Sequence, residues 1–448
     1  MLIEIKTMGC RLNHAETAAI AGALEAHGHD VRASGAAAGN GAARENAAAA
    51  ADVFILHTCT VTGAAQSEAL RLARSAKKRG IPIVAVSGCG IGAGGGAAFS
   101  EAGADLLIDK NARTVDGADQ FGIGSIVLSA SALGASADGG GAAAAPVPKH
   151  PSTRAFVKIQ DGCSFRCAYC IVPDARGAPA SRPAADVLRE IEALGARGFR
   201  EFVLAGVNVA LWRDGALSLC GLAEKIAALG CVSRIRLSSI EPATTERAVI
   251  DQIAAPGSKL CRALHYPLQS ADDGVLRLMR RRYTAGDYAR TLDYAAAKIA
   301  PLPLGIGADV ITGFPGETDA AFERTRAFIA SRPFTYLHVF PYSERPGTPA
   351  AAMPGKIPTH IRRARARELI SLGEEKTRQF AASLIGRELE ALIERIDASG
   401  HAHGWTSEYI SASIGGLAPS ACGSVIRFTA SSADGTCVVG QAEEIEKR

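Results

Sequence analysis

Three apolar runs near the amino end, LIEIKTMGC (2–10), ADVFILHTC (51–59) and IPIVAVSGC (81–89), are each followed by a stretch that can be helical, such as AETAAIAGALEAHG and AAQSEALRLARSAKKRG. That alternation predicts a doubly wound parallel α/β sheet. From residue 153 strand and helix alternate again. The strand segments are RAFVKIQ, EFVLAGVN, RIRLSSIEP, ALHYPLQS, LGIGADVITG and TYLHVFPYS. Six such units over about 200 residues predict a partial (β/α)6 barrel, with chemistry on the loops after the strands. A long basic helix over 359–386 leads into short strands, RELEALIERI, EYISASI and VIRFTAS, which fit a small closed β-barrel.

Three stretches, 33–51, 88–104 and 129–148, are rich in Gly and Ala and poor in information; the last reads as a linker. The expected organisation is a domain over 1–130, a linker over 131–150, a barrel over 151–380 and a small barrel over 381–448. With 448 residues, 48% hydrophobic and 21% charged, the composition suits two or three soluble domains. The first residues lack a signal-peptide pattern and no apolar run is long enough to span a membrane, so a cytoplasmic protein without a membrane partner is expected. A net charge of +4 permits a nucleic-acid partner without arguing for one.

Cysteine changes the picture most. There are eleven, and each of the first three apolar runs ends in one: Cys10, Cys59 and Cys89. Parallel sheets gather the carboxyl ends of their strands on one rim, so these three thiols are brought together. KIQDGCSFRCAYCIVPDARG (158–177) adds Cys163, Cys167 and Cys170 as Cys-x3-Cys-x2-Cys. Structural zinc sites pair Cys-x2-Cys with a second pair, which is absent here. A 4Fe–4S cluster on three thiolates keeps one iron open for a small molecule. Cys220, Cys231, Cys261, Cys422 and Cys437 have no partnered spacing and read as buried. His57, His265 and His338 read as packing or hydrogen-bonding residues.

Cys-x3-Cys-x2-Cys with Tyr169 before its last member, after the first strand of a βα barrel, resembles the radical S-adenosylmethionine enzymes. GCRLNHAE, HTCTVT, VSGC, KIQDGC, YCIVPDARG, SRP, HYPLQS, LRLMRRRYT, DVITGFPGET and HVFPYSERPGTPAA resemble, in order, the methylthiotransferase family across nearly the whole chain. The resemblance implies two 4Fe–4S clusters, one on Cys163, Cys167 and Cys170 and one on Cys10, Cys59 and Cys89. It also implies S-adenosyl-L-methionine as cofactor, tRNA as partner, a flavodoxin- or ferredoxin-type electron donor, a monomer, and a TRAM-like RNA-binding module at the carboxyl end. Tyr169, Asn208, Ser239, Gln269, Gly313 and Pro315 are the expected cofactor-contacting residues. The basic groups 280–282 and 362–367 are candidates for RNA-backbone contact.

TMGCRLNHAE and HVFPYSERPGTPAA resemble the branch that acts on threonylcarbamoyladenosine next to the anticodon, with Arg176 a candidate to grip the substrate carboxylate. The alternatives are isopentenyladenosine in tRNA, a ribosomal-protein aspartate, or an iron–sulfur RNA-binding protein without turnover. Two departures from the family pattern stand out. GCGIGAGGGAAF replaces the usual Gly-Cys-x-Ala-Gln, and PDARG replaces Pro-Tyr-x-Arg-Gly.

Overall fold

The computed structural model describes residues 1–34, 51–110, 113–119, 121–131 and 153–442. Apart from residue 131, the linker expected at 131–150 lies outside the described residues. Strands β1 (Leu2–Thr7), β2 (Asp30–Ala33), β3 (Val53–Thr58), β4 (Ile83–Gly88), β5 (Leu106–Asp109) and β6 (Thr114–Asp116) form one sheet in the order β2-β1-β3-β4-β5-β6. All pairs are parallel except β5 with β6. β3 is buried at every position, as expected of a strand covered on both faces. The order reverses between β1 and β3, which is where open α/β sheets place their sites.

Strands β7 (Arg154–Lys158), β8 (Glu201–Ala205), β9 (Arg234–Leu237), β10 (Ala263–His265), β11 (Gly305–Thr312) and β12 (Tyr336–Pro341) follow one another as the partial barrel. A single parallel bridge, Ile235 to Leu260, joins its two halves. One set of alternating residues, including Phe202, Leu204, Ile235, Leu264, Ile306 and Val310, packs on the surrounding helices in the main core. The other set, including Phe156, Arg236, His265, Asp309, Tyr336 and His338, is left for the interior. Helix α1 (Arg11–Ala26) lies against β7, with Leu12 and Ala15 on Ala205 and the His14 ring stacked on Phe156.

The tail is a closed five-stranded barrel. Two of its strands, Ala402–Thr406 and Cys437–Ala442, have no counterpart among the expected segments. It docks on the amino ends of the partial-barrel strands. Arg234 and Arg236 donate to the carbonyls of Trp405, Thr406 and Ser407. Glu201 pairs with both arginines. Burial alone would raise the Glu201 carboxyl, yet the two guanidiniums hold it down at about 2. Tyr409 reaches the Tyr336 ring at 5.3 Å, so the small barrel closes the floor of the large one.

One stretch that carried little information is ordered, and one expectation needs correction. The Gly-rich stretch 88–104 is folded, as one wide helical turn over Ile91–Gly95 and a short α-helix over Gly96–Glu101. A Cβ on Gly92 would stand 2.6 Å from the carbonyl oxygen of Ala175, so close packing on the segment after Cys170 demands glycine there. Of the five unpaired cysteines only Cys261 is buried; Cys220, Cys231 and Cys437 are partly exposed and Cys422 is exposed.

Candidate active site and metal centres

Cys10, Cys59 and Cys89 follow β1, β3 and β4 directly, and adjacency of those strands gathers them. Gly9, at φ +101°, lets the first turn close on the second: a Cβ there would lie 2.6 Å from Cys59 Cβ. Burial pushes the Cys59 thiol up to about 11 and raises that of Cys89. Cys163, Cys167 and Cys170 share the loop after β7. Burial raises the Cys163 thiol and pushes Cys170 up to about 12. Buried thiols of this kind are poor nucleophiles, and a metal offsets the cost of ionising them.

Each triad is served by a buried arginine. Arg176 Nε donates to Cys89 Sγ at 2.9 Å, and Nη2 donates to Asn13 Oδ1 at 2.7 Å. Nη1 meets Asp161 at 2.9 Å and Glu16 at 3.1 Å. Lys110 and Lys158 join the same two carboxylates. Burial would raise Glu16, but Arg176, Lys158 and Lys110, with the His57 hydrogen bond, hold it well below the carboxylate range. Arg281 repeats the pattern in the second triad. Its Nη1 donates to Cys167 Sγ and Tyr169 Oη, both at 3.3 Å, and Nη2 to both Glu241 oxygens at 2.6 Å.

The donor set fits an anionic iron–sulfur cluster at each triad. Beside Cys89 the buried cations Arg176, Lys110 and Lys158 share the carboxylates of Glu16 and Asp161. Near Cys59, buried Arg345 donates to Thr60 and Gln66 but meets no carboxylate among the described residues, and its Nε lacks a partner. A cluster on these thiolates would supply negative charge beside the cations.

Between the triads lies a cavity of about 150 Å³. Val61 and Thr62, just past Cys59, line one side; Tyr169, Cys170, Ile171 and Val172 line another; Gln269, Asp309, Phe340 and Tyr342 complete it. The buried Tyr342 hydroxyl has no partner, and Phe340 is 40% exposed. An aromatic wall with unspent polar atoms suits a nucleoside.

Of the expected cofactor-contacting residues, Tyr169 and Gln269 line this cavity and the other four do not. Asn208 accepts from the Glu241 amide and donates to Thr244, and so orders the loop after β9. Ser239 is half-buried in that loop. Gly313 donates to Glu317, and a Cβ there would strike Arg362 of the long helix Thr359–Ser383. Pro315 is buried in the same turn. Arg176 cannot grip a substrate carboxylate: it is buried and its donors are spent on Cys89, Asn13, Glu16 and Asp161. Arg281, Arg362 and Arg365 are also internally bonded, whereas Arg280, Arg282, Arg363 and Arg367 are exposed.

Comparison with known proteins decides the family. Residues 157–329 match the model described as the radical SAM superfamily, and residues 2–109 match an uncharacterized protein family, UPF0004. The chain is 32% identical to the threonylcarbamoyladenosine tRNA methylthiotransferase MtaB of Rickettsia prowazekii, covering 87% of each chain. It is 31% identical to the tRNA-2-methylthio-N(6)-dimethylallyladenosine synthase of Opitutus terrae, over 89% of this chain and 88% of that one. The chain belongs to the radical SAM tRNA methylthiotransferase family. Its fold is shared by the radical S-adenosylmethionine methyltransferase TsrM of Kitasatospora setae, solved with cobalamin and a [4Fe-4S] cluster (TM-score 0.55, 14% identity, 78% of this chain and 76% of that one). No helix among the described residues is long and apolar enough to cross a membrane.

Proposed function

We propose that this chain methylthiolates an adenosine carrying an N6-threonylcarbamoyl group, at the position 3′ of the anticodon in tRNA. The observation that supports it is one cavity lined by Cys170 of the local triad on one side and by Val61 and Thr62, which follow Cys59 of the other triad, on another. Cys163, Cys167 and Cys170 would hold a 4Fe–4S cluster that binds S-adenosylmethionine, and Cys10, Cys59 and Cys89 a second. When bound, these groups supply a 5′-deoxyadenosyl radical, sulfur and methyl.

The protein's own work is placement. Arg281 holds the Cys167 turn and Tyr169 in one geometry, and Glu241 fixes Arg281. Phe340 and Tyr342 offer faces on which an unstacked base can rest; drawing that base from a tRNA loop costs a few kcal/mol. Helix α1 covers one side of the interior and the small barrel closes its floor. A flavodoxin- or ferredoxin-type donor would supply the electron.

The test is anaerobic reconstitution with iron and sulfide, then incubation with S-adenosylmethionine, reductant and tRNA carrying threonylcarbamoyladenosine. Mass spectrometry of the digested nucleosides should show the 2-methylthio derivative. Formation of 5′-deoxyadenosine with no methylthiolated nucleoside from any tRNA would refute the reading.

A further inference from the structure

Beside the cavity wall formed by Asp309, the partial-barrel interior carries polar side chains. His265, Asp309 and His338 sit on the adjacent strands β10, β11 and β12. The Asp309 Oδ1 atom bonds His265 Nε2 at 3.0 Å and His338 Nδ1 at 3.2 Å. Tyr336 Oη fixes the other nitrogen of His265 at 3.1 Å. Burial would raise Asp309, and the two imidazoles outweigh it, so this carboxylate is ionised and anchored. His338 is different. Its side chain is 48% exposed, and its Nε2 has no partner among the described residues. Its neighbours Leu337 and Val339 pack into the outer core, so that exposure is to the interior.

Deeper in, the rings run from His338 to Tyr336 at 5.4 Å and from Tyr336 to Tyr409 at 5.3 Å. Arg11 lies 5.0 Å from the centre of the Tyr409 ring and makes no ion pair with a carboxylate among the described residues. The well therefore runs from an anchored Asp–His pair at the rim, where Asp309 lines the cavity, to a cation at its foot.

We propose that this well is the subsite for the N6 substituent of the substrate base, with His338 binding its ureido or hydroxyl groups and Arg11 its terminal carboxylate. The inference rests on the function proposed above and adds the substituent class: an extended, hydrogen-bonding group that ends in a carboxylate. A dimethylallyl group would bury His338 Nε2 with nothing to pair it, and would cover an Arg11 guanidinium that, among the described residues, reaches only the Leu237 carbonyl and the Tyr409 hydroxyl, with no carboxylate to balance its charge. Sites lined by such groups reject an apolar analogue far more strongly than apolar pockets reject a polar one. The relatives do not discriminate, since methylthiotransferases named for either substituent match at nearly equal identity. The well supplies that discrimination.

The experiment measures kcat/KM of the reconstituted protein on two tRNAs, one carrying threonylcarbamoyladenosine and one dimethylallyladenosine. The unmodified protein should prefer the first. His338→Leu should lower activity on the first by roughly tenfold to a hundredfold and shift the ratio toward the second. His338→Gln, which keeps a polar atom in the well, should recover part of the loss. Arg11→Gln should shift the ratio the same way, with iron content checked because it adjoins Cys10. A chain inactive on both tRNAs overturns the proposed function. A chain that prefers the dimethylallyl substrate, or variants that lower both substrates equally, overturns this subsite and leaves the reaction class standing.

Discussion

Cys163, Cys167 and Cys170 fall within eight consecutive positions and owe their meeting to one loop after one strand. Cys10, Cys59 and Cys89 span eighty positions and meet because β1, β3 and β4 are neighbours. The first triad needs only a local turn; the second needs a finished sheet. Their surroundings follow suit. Arg281 serves the local triad from within the barrel and is balanced by Glu241 alone. Arg176 serves the distributed triad from across the domain boundary and ties α1, β7 and the turn after Cys170 into one charge network. The distributed site is thus a joint between domains as well as a ligand set, and it should fail in more ways.

Removing ligands breaks the comparison most severely. Replacing Cys163, Cys167 and Cys170 together with Ala should abolish 5′-deoxyadenosine formation and lower iron from about eight to about four per chain. Cys59→Ala should still form 5′-deoxyadenosine but release no methylthiolated nucleoside. An iron-free triple variant would show that the distributed thiols hold no cluster of their own.

The arginines should separate next. Arg176→Ala leaves Glu16, Asp161, Asn13 and Cys89 short of a buried donor, a change worth roughly 3 kcal/mol. Denaturant unfolding should show that loss, and iron should be lost from the distributed site first. Arg281→Ala strands the Glu241 carboxylate, takes a donor from Cys167 Sγ and Tyr169 Oη, and should release iron from the local site first. Equal loss from both sites in both variants would mean that the two arginines do not act locally.

These contrasts also set how much could be read from sequence. The local triad is visible as spacing. The distributed triad is visible because each apolar run ends in Cys, and parallel pairing does the rest. The strands of the barrel follow from their alternation. The roles of the arginines do not, because RRR in LRLMRRRYT looks like a solvated basic run until Glu241 is brought to Arg281 by a separate strand. Arg176 was legible as functional in position but not in partner, since Glu16 lies 160 residues away. The Gly-rich stretch after Cys89 was uninformative for a related reason. Low complexity signals missing side chains, whereas here their absence is what lets Gly92 meet Ala175.

That contact gives a smaller effect on the same boundary. Gly92→Ala places a methyl 2.6 Å from a backbone oxygen that cannot swing away, and should cost about 1–3 kcal/mol. Gly94, at φ +77° with nothing within 4 Å, is the control; Ala there should cost only about 1 kcal/mol. Comparable losses from both would place the demand for glycine in backbone conformation rather than in domain packing.

The smallest effect concerns RNA and the rim of the local triad. Arg282 is exposed and sits 4.2 Å from the centre of the Phe165 ring, between Cys163 and Cys167 in sequence. The closed barrel at the carboxyl end is poorly suited to phosphate: residues 388–442 hold two arginines and no lysine against six Asp and Glu. Its arginine contacts run the other way, with Arg154 and Arg262 of the large barrel pairing with its Glu394 and Glu408. Phosphate neutralisation should therefore come from exposed groups such as Arg282. Arg282→Ala should weaken tRNA binding a fewfold, about 1 kcal/mol, and reduce the slope of log K against log salt by about 0.7–1. Arg281 is already matched by Glu241, so it holds no phosphate and releases no counterion. Arg281→Ala should leave that slope unchanged whatever it does to the iron. A slope that falls with Arg281→Ala and not with Arg282→Ala would reverse which of the two faces the nucleic acid.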